Sequence, residues 1–147
     1  MPQYVYPAVD ITLDGGAGGA DPTRMWTNPS YAQIDESSAD DGDYTSSPEV
    51  PTAGEYCEVQ LDPASDPGVD TSHIIRYRYR KNLAGGGQMS FTVYLYQGGS
   101  MIASSIPDSD VSDAWVTGSF TLETYEAAQI TNYADLRLRF VAVQVTS

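Results

Sequence analysis

The sequence predicts an all-β fold, an antiparallel two-sheet β-sandwich that is jelly-roll-like and carries an extended N-terminal arm and one short helical turn. At least six segments alternate apolar and polar residues, which is the period of a half-buried strand. Turn residues separate them, and 13 Gly, 9 Pro and 11 Tyr tilt the composition toward strands and turns. Alternation alone also fits an immunoglobulin-like topology, but long strands and wide loops such as residues 107–114 favour the jelly roll.

The alternating segments also indicate which side chains face the core. In EYCEVQL, residues 55–61, apolar and polar side chains alternate, and Cys57 takes a core position. SFTVYLY, residues 90–96, and DLRLRFVAV, residues 135–143, repeat this pattern. We therefore expect one buried cluster that contains Phe91, Val93, Leu95, Leu136, Leu138 and Phe140.

Two connections carry local signals of their own. QGGS, residues 97–100, lies between alternating segments, and its glycines can supply the positive φ angles of a tight hairpin turn. TYEAAQI, residues 124–130, reads as a helical turn or two, with Thr124 as its N-cap. It would form a short crossover between the last strands.

A chain of 147 residues is long enough for one domain with its own core. We place the β-sandwich domain at residues 26–147 and an extended arm at residues 1–25, because the segment LDGGAGGADP buries little and loses much entropy on ordering. Tyr4, Val5 and Tyr6 carry the side chains that could anchor this arm to a partner. A neighbouring subunit is the expected anchor, and packing on the same domain is the alternative.

The charge balance restricts the partners of the protein. Twenty acidic residues against seven basic ones give a net charge of −13, which repels phosphate backbones, so we expect no nucleic-acid partner. No run of 18 apolar residues occurs, and the first ten residues lack a signal-peptide pattern, so we expect a soluble chain without a membrane partner. The single cysteine, Cys57, excludes an internal disulfide and a multi-cysteine metal site.

Motifs that carry chemistry are weak in this chain. DESSADDGDY, residues 35–44, offers several carboxylates that could bind calcium, but their spacing does not match a calcium-binding loop and a solvated acidic loop is favoured. His73 is the only histidine, and no G-x-S-x-G motif accompanies it. No pair of carboxylates is singled out for glycoside hydrolysis. We expect no catalytic residues, no metal and no cofactor.

Aromatic residues leave one further hypothesis open. Trp26 and Trp115, together with the outward row of Thr92, Tyr94 and Tyr96, could form a platform for stacking sugars. Sandwich cores and protein interfaces use the same residue types more often, and this second interpretation is favoured.

Basic residues are concentrated in the stretch IIRYRYRK, residues 74–81, which holds four of the seven. If the strands of residues 74–80 and 136–140 are neighbours, their arginines form one positive stripe. Cross-strand acids such as Glu58 would neutralise this stripe, or it would meet the acidic surface of another subunit. The candidate partner-binding arginines are Arg76, Arg78, Arg80, Arg137 and Arg139.

A family resemblance runs along most of the chain. The pattern W-x-N-x-x-Y-x-x-I-D-E at residues 26–36 precedes D-x-D-Y-T-S at residues 41–46. Further pieces follow in order: EYCEVQLDP (55–63), R-Y-R-x-R (76–80), F-x-V-x-L-x-Q-G (91–98) and I-T-x-Y-A-D-L-R-L-R-F (130–140). Over about residues 26–142 the chain resembles small β-sandwich virion structural proteins of tailed bacteriophages, the head decoration and accessory proteins.

This resemblance implies a noncatalytic capsid decoration or cement protein on the exterior of the head, where it stabilises the shell. The implied partner is the major capsid protein, and the chain would form a homo-oligomer, with a trimer favoured. The net charge of −13 agrees with a place outside the shell rather than beside packaged DNA. The alternative is a receptor-binding or carbohydrate-binding β-sandwich module associated with a tail or head fibre.

Overall fold

The computed structural model describes residues 3–12, 26, 32, 34, 42, 44–47, 56–82 and 87–145. Within them, two antiparallel sheets and one short helix confirm the predicted all-β sandwich. The elements are β1 (Pro7–Thr12), β2 (Cys57–Leu61), β3 (Ile74–Tyr79), β4 (Met89–Gln97), β5 (Ser100–Ser104), β6 (Val116–Thr121), α1 (Thr124–Ala127) and β7 (Leu136–Gln144).

The strand order is β1-β2-β7-β4-β5 in the larger sheet and β3-β6 in the smaller one. The pairs are nested, because β2 pairs with β7, β3 with β6, and β4 with β5. A chain folded into one long hairpin and then rolled up gives this nesting, which is the jelly-roll connectivity. The described part of the chain therefore has a jelly-roll-like arrangement with the sheets that sequence alternation predicted.

The register between β7 and its neighbours brings the predicted core residues together. Val93 lies opposite Phe140, and Leu95 lies opposite Leu138. Phe140 is 7% exposed, and Cys57 on the other side of β7 is fully buried. Phe91 is half-buried and packs against this cluster. A register shifted by one residue would have turned these side chains outward, so the predicted register is confirmed.

The smaller sheet covers the core with aromatic rings. Tyr77 contacts Phe91 and Phe120 edge to face, with ring centroids 6.1 and 6.4 Å apart. Across the sheet Tyr77 lies opposite Gly118, and its ring occupies the space that a Cβ would need there. Glycine at this position lets the tyrosine ring lie flat against the neighbouring strand.

The predicted glycine turn and the predicted short helix are both present, but the helix has a different N-cap. Gly98, with a φ of 55°, forms the β4–β5 turn with Gly99, and its N–H donates to the carbonyl of Asp135 at 3.1 Å. Helix α1 begins at Thr124, but its N-cap is Glu123. The backbone N–H of Glu123 donates to the carboxylate of Glu126 at 2.8 Å, as in a capping box. The prediction of Thr124 as N-cap is wrong by one residue.

Part of the segment predicted as an extended arm is a strand of the larger sheet. Residues 7–12 form β1, which pairs with β2 at one edge of the larger sheet, so this part belongs to the sandwich. The alternation of the segment allowed a strand, but its partner could not be read from it. The Gly-rich residues 13–25 and the proposed boundary at residue 25 lie outside the described residues.

Candidate interaction surfaces

The five candidate arginines form two groups and not one stripe. Strand β3 pairs with β6 in the smaller sheet, whereas β7 lies between β2 and β4 in the larger sheet. The outward residues of two facing sheets point to opposite sides of a sandwich. The two strands are not neighbours, so the condition for one stripe is not met. Alternation gives the face of a residue but not the neighbour of its strand.

Arg137 and Arg139 are engaged within the larger sheet. Arg139 lies opposite Glu58, and its Nε and Nη2 are each 3.0 Å from the Oε1 of Glu58. Its guanidinium lies 3.8 Å from the ring centroid of Tyr56 and 4.0 Å from that of Tyr96. Arg137 Nη1 is 3.7 Å from Glu58 Oε2. This geometry is the one expected when cross-strand acids neutralise the arginines.

Three exposed arginines lie along β3 and just after its end, and we call them the β3 arginine row: Arg76 and Arg78 in the strand and Arg80 directly after it. Arg78 Nη1 donates to the hydroxyl of Thr117 on β6 at 2.9 Å. The guanidinium carbons of Arg78 and Arg80 lie 5.8 and 5.2 Å from the ring centroid of Trp115, within cation–π range. The indole therefore holds two positive charges beside each other on one outward face.

Trp115 is itself supported from a second side. Its ring meets the ring of Tyr44 at a centroid distance of 5.9 Å and an angle of 61°. Arg80 Nη1 also donates to the carbonyl of Asp113, two residues before the indole in sequence, at 3.4 Å. Planar guanidinium groups held over an aromatic ring lose less entropy when they pair with carboxylates. The arrangement can bind a carboxylate-rich surface.

The predicted anchor residues of the arm lie beside a loop of the same chain. Gln3 donates from Nε2 to the carbonyl of Ser65 at 2.6 Å and accepts from the Ser65 N–H at 3.1 Å. The carbonyl of Tyr6 accepts from the N–H of Asp62, and Val5 packs against the core. Tyr4 remains 64% exposed. Val5 and Tyr6 therefore contact their own domain, and binding of Tyr4, Val5 and Tyr6 to a neighbouring subunit stays a prediction.

A cavity of about 470 Å³ lies between this N-terminal segment and the start of β3. Its lining is mostly apolar, and side chains from both sheets contribute: Leu61, Leu95 and Leu136 from the larger sheet and Ile75 from β3. Sequence reasoning missed it, because its walls come from five separate stretches of the chain. His73, Tyr4 and Val5, which the sequence had singled out for other reasons, all lie in its lining.

Two polar rings lie at the cavity wall. His73 Nε2 is 2.7 Å from the hydroxyl of Tyr133, and the ring centroids are 5.8 Å apart. Burial raises the pKa of Tyr133, and the nearby Asp66 and Asp70 raise it further. The pair therefore places a hydrogen bond between two side chains on a mostly apolar wall.

The described part of the chain gives little support to the metal site and the sugar platform considered from the sequence. Across residues 3–12, 56–82, 87–145 and the isolated described positions, no three His, Cys, Asp or Glu side chains lie close enough to hold a metal ion. The acidic residues of the possible calcium loop, from Asp35 to Asp43, lie outside the described residues. Of the positions in this range, the structure describes Gly42. Trp26 is 6% exposed and belongs to the core, so it is not part of a sugar platform.

Comparison with family models, with curated proteins and with solved structures found no match to this chain. The described residues contain no helix that is both long and apolar enough to cross a membrane. The resemblance to virion proteins therefore stays a prediction from the sequence motifs.

Proposed function

We propose that this chain is a noncatalytic structural protein of a bacteriophage virion, a decoration protein that binds the capsid exterior and stabilises the shell. The virion assignment rests on the motif resemblance over about residues 26–142. An all-β sandwich is the fold that this resemblance implies. A net charge of −13 favours the outside of the shell, because packaged DNA would repel the chain inside. The proposed partner is the major capsid protein.

The β3 arginine row is the observation that carries a docking role. Its three arginines are exposed and alternate along β3 and the residue after it, on a chain whose net charge is strongly negative. Exposed Arg residues that gather around Trp115 have the composition of a protein interface, where Arg and Trp are enriched. The row would meet carboxylates on the capsid surface or on a second copy of the chain.

The energetics of such a contact set what the row can contribute. Exposed ion pairs are worth about 0 to 1 kcal/mol each, so their number does not by itself give tight binding. Complementary charge contributes more to the rate of encounter and to the choice of partner. Screening over about 8 Å at physiological ionic strength makes this contribution fall with added salt.

A receptor-binding or carbohydrate-binding module remains the alternative function. The aromatic rings that would stack on a sugar are engaged with arginine, since Arg139 lies 4.0 Å from the Tyr96 ring and Arg80 lies 5.2 Å from Trp115. This engagement favours the decoration role.

The number of copies per particle distinguishes these two functions. Densitometry of purified virions, calibrated against the major capsid protein, should find this chain in many copies, and removing it should lower the temperature at which the shell opens. A scarce chain whose loss abolishes adsorption and leaves the shell intact would support the receptor binder and overturn the decoration role.

The oligomeric state belongs to the same proposal. A head-to-tail ring can place the basic face of one copy against an acidic face of the next, and a trimer would suit local threefold positions of a shell. Sedimentation equilibrium of the purified chain at low salt should give a trimer mass that declines toward the monomer as salt rises. A monomer at all salt concentrations would remove self-association from the proposal.

A further inference from the structure

One edge of β3 carries backbone groups that face away from the sheet. The N–H of Leu122 donates to the carbonyl of His73 at 2.8 Å, which fixes the hydrogen-bonding phase of the β3–β6 pair. Because bonded and non-bonded pairs alternate along antiparallel strands, Ile75 bonds to Phe120, whereas Ile74 and Arg76 direct their N–H and C=O groups away from β6. Within the described part of the chain, no strand pairs with this edge.

The cavity opens beside this edge. Ile74, Ile75 and Arg76 all line it, and so do Tyr4 and Val69. An extended polypeptide paired with β3 would lie about 4.8 Å from it and would direct alternate side chains to opposite faces. Side chains on the Ile75 face would then enter the apolar cavity, and side chains on the Arg76 face would lie on the outward surface.

Charge at the edge restricts the sequence of such a polypeptide. Arg76 and Arg78 occupy successive outward positions of β3, and opposite charges across paired strands are favourable. A carboxylate on the outward face of an added strand would lie beside them. The edge and the cavity together therefore fit a segment in which acidic and apolar residues alternate.

We propose that β3 accepts an extended segment of the partner protein as an added strand, which pairs with the backbone of Ile74 and Arg76. Apolar side chains on one face of the segment enter the cavity, and its acidic side chains face the β3 arginine row. Strand addition of this kind draws affinity from main-chain hydrogen bonds and specificity from pockets for alternate side chains. The inference rests on the proposed function in one respect, that the partner is a protein.

The first test uses a blocked eight-residue peptide that alternates valine and aspartate. In ¹⁵N-labelled full-length protein, amide exchange should be fast at Ile74 and Arg76 and slow at Ile75 before the peptide is added. Titration with the peptide should shift the Ile74 and Arg76 amide signals and slow their exchange, and a valine–lysine peptide should do neither. Unchanged signals at these two amides with millimolar valine–aspartate peptide would overturn the proposal.

The second test separates backbone pairing from side-chain contact. Ile74→Pro removes the outward N–H, whereas Ile74→Ala keeps it and removes most of the same side chain. Proline is tolerated where a strand N–H faces outward, so both variants should fold, as checked by circular dichroism. Since one hydrogen bond contributes about 0.5 to 1.5 kcal/mol, Ile74→Pro should bind the peptide about three- to tenfold more weakly than Ile74→Ala.

Equal peptide affinity of the two folded variants would contradict backbone pairing at this position. If the proline variant does not fold, the exchange and titration data on the wild-type chain decide the question alone. The result is also independent of copy number in virions. A chain that is scarce in virions but binds the peptide would overturn the decoration role and support strand addition. A chain that is abundant in virions but does not bind the peptide would support the decoration role and overturn strand addition.

Discussion

The carboxylate of Glu58 and the guanidinium of Arg139 meet at 3.0 Å across β2 and β7, on the outward side of the larger sheet. Glu58 is only 4% exposed although its strand neighbours on that side are polar. The two rings that flank Arg139, those of Tyr56 and Tyr96, shield the pair from water. The outward face of the larger sheet therefore has a small charged core of its own.

Replacing Arg139 with methionine should destabilise the fold by about 3 kcal/mol, because it leaves the buried Glu58 carboxylate with only the more distant Arg137. Urea unfolding followed by circular dichroism measures the loss. The double variant Glu58→Met with Arg139→Met should recover most of it, since a buried ion pair is often replaceable by apolar residues. A single variant as stable as the wild type would show that the pair contributes little.

Gly118→Ala should destabilise the smaller sheet by about 1 to 3 kcal/mol, because its Cβ would overlap the Tyr77 ring. The matched control is Gly99→Ala in the β4–β5 turn, where no heavy atom lies within 4 Å of the added Cβ. Thermal unfolding of the two variants makes the comparison. Equal melting temperatures would mean that Tyr77 moves away at no cost.

How far the sequence determines this structure differs from feature to feature. The alternation in β4 and β7 predicted that Val93 and Phe140 face the core, because the side-chain period of a strand is local. It could not predict that β3 pairs with β6, since the choice of partner depends on contacts between distant segments. The cavity could not be predicted for the same reason, because segments far apart in sequence surround it. Gln3 and Ser65, for example, form their hydrogen bonds only in the folded chain.

The stability of the protein should depend on pH through the ionisation of Tyr79. Its hydroxyl donates to Asp108 at 2.7 Å, and burial, followed by that hydrogen bond, raises its pKa to about 12. The folded state therefore holds this proton more tightly than the unfolded state, whose tyrosine titrates near 10. The stabilisation is complete below pH 10 and is lost as the pH rises from 10 to 12.

Tyr79→Phe is the control for that titration. The unfolding midpoint of the wild type should fall more steeply than that of Tyr79→Phe between pH 10 and 12. Parallel curves for the two proteins across this range would show that Tyr79 does not titrate with a raised pKa.

Deletion of residues 1–12 should lower stability, although the sequence placed residues 1–25 in an arm outside the sandwich domain. Strand β1 covers the edge of β2, and the bonds between Gln3 and Ser65 close the cavity wall. Losing a few such hydrogen bonds should cost about 2 kcal/mol or more, as measured by the urea midpoint. Deletion of residues 1–2 alone is the control, and equal midpoints for both truncations would restore the idea of an independent arm.

Docking of this chain on its partner through the β3 arginine row can be measured as binding of the purified chain to virions from which the chain has been stripped. Arg76→Glu should bind more weakly than the wild type, mainly through slower association, and wild-type binding should decline with salt. The control carries Ser109→Glu and Gln129→Glu, two exposed positions that together change the net charge by the same −2. Binding of Arg76→Glu equal to that of the wild type and the control would contradict the claim.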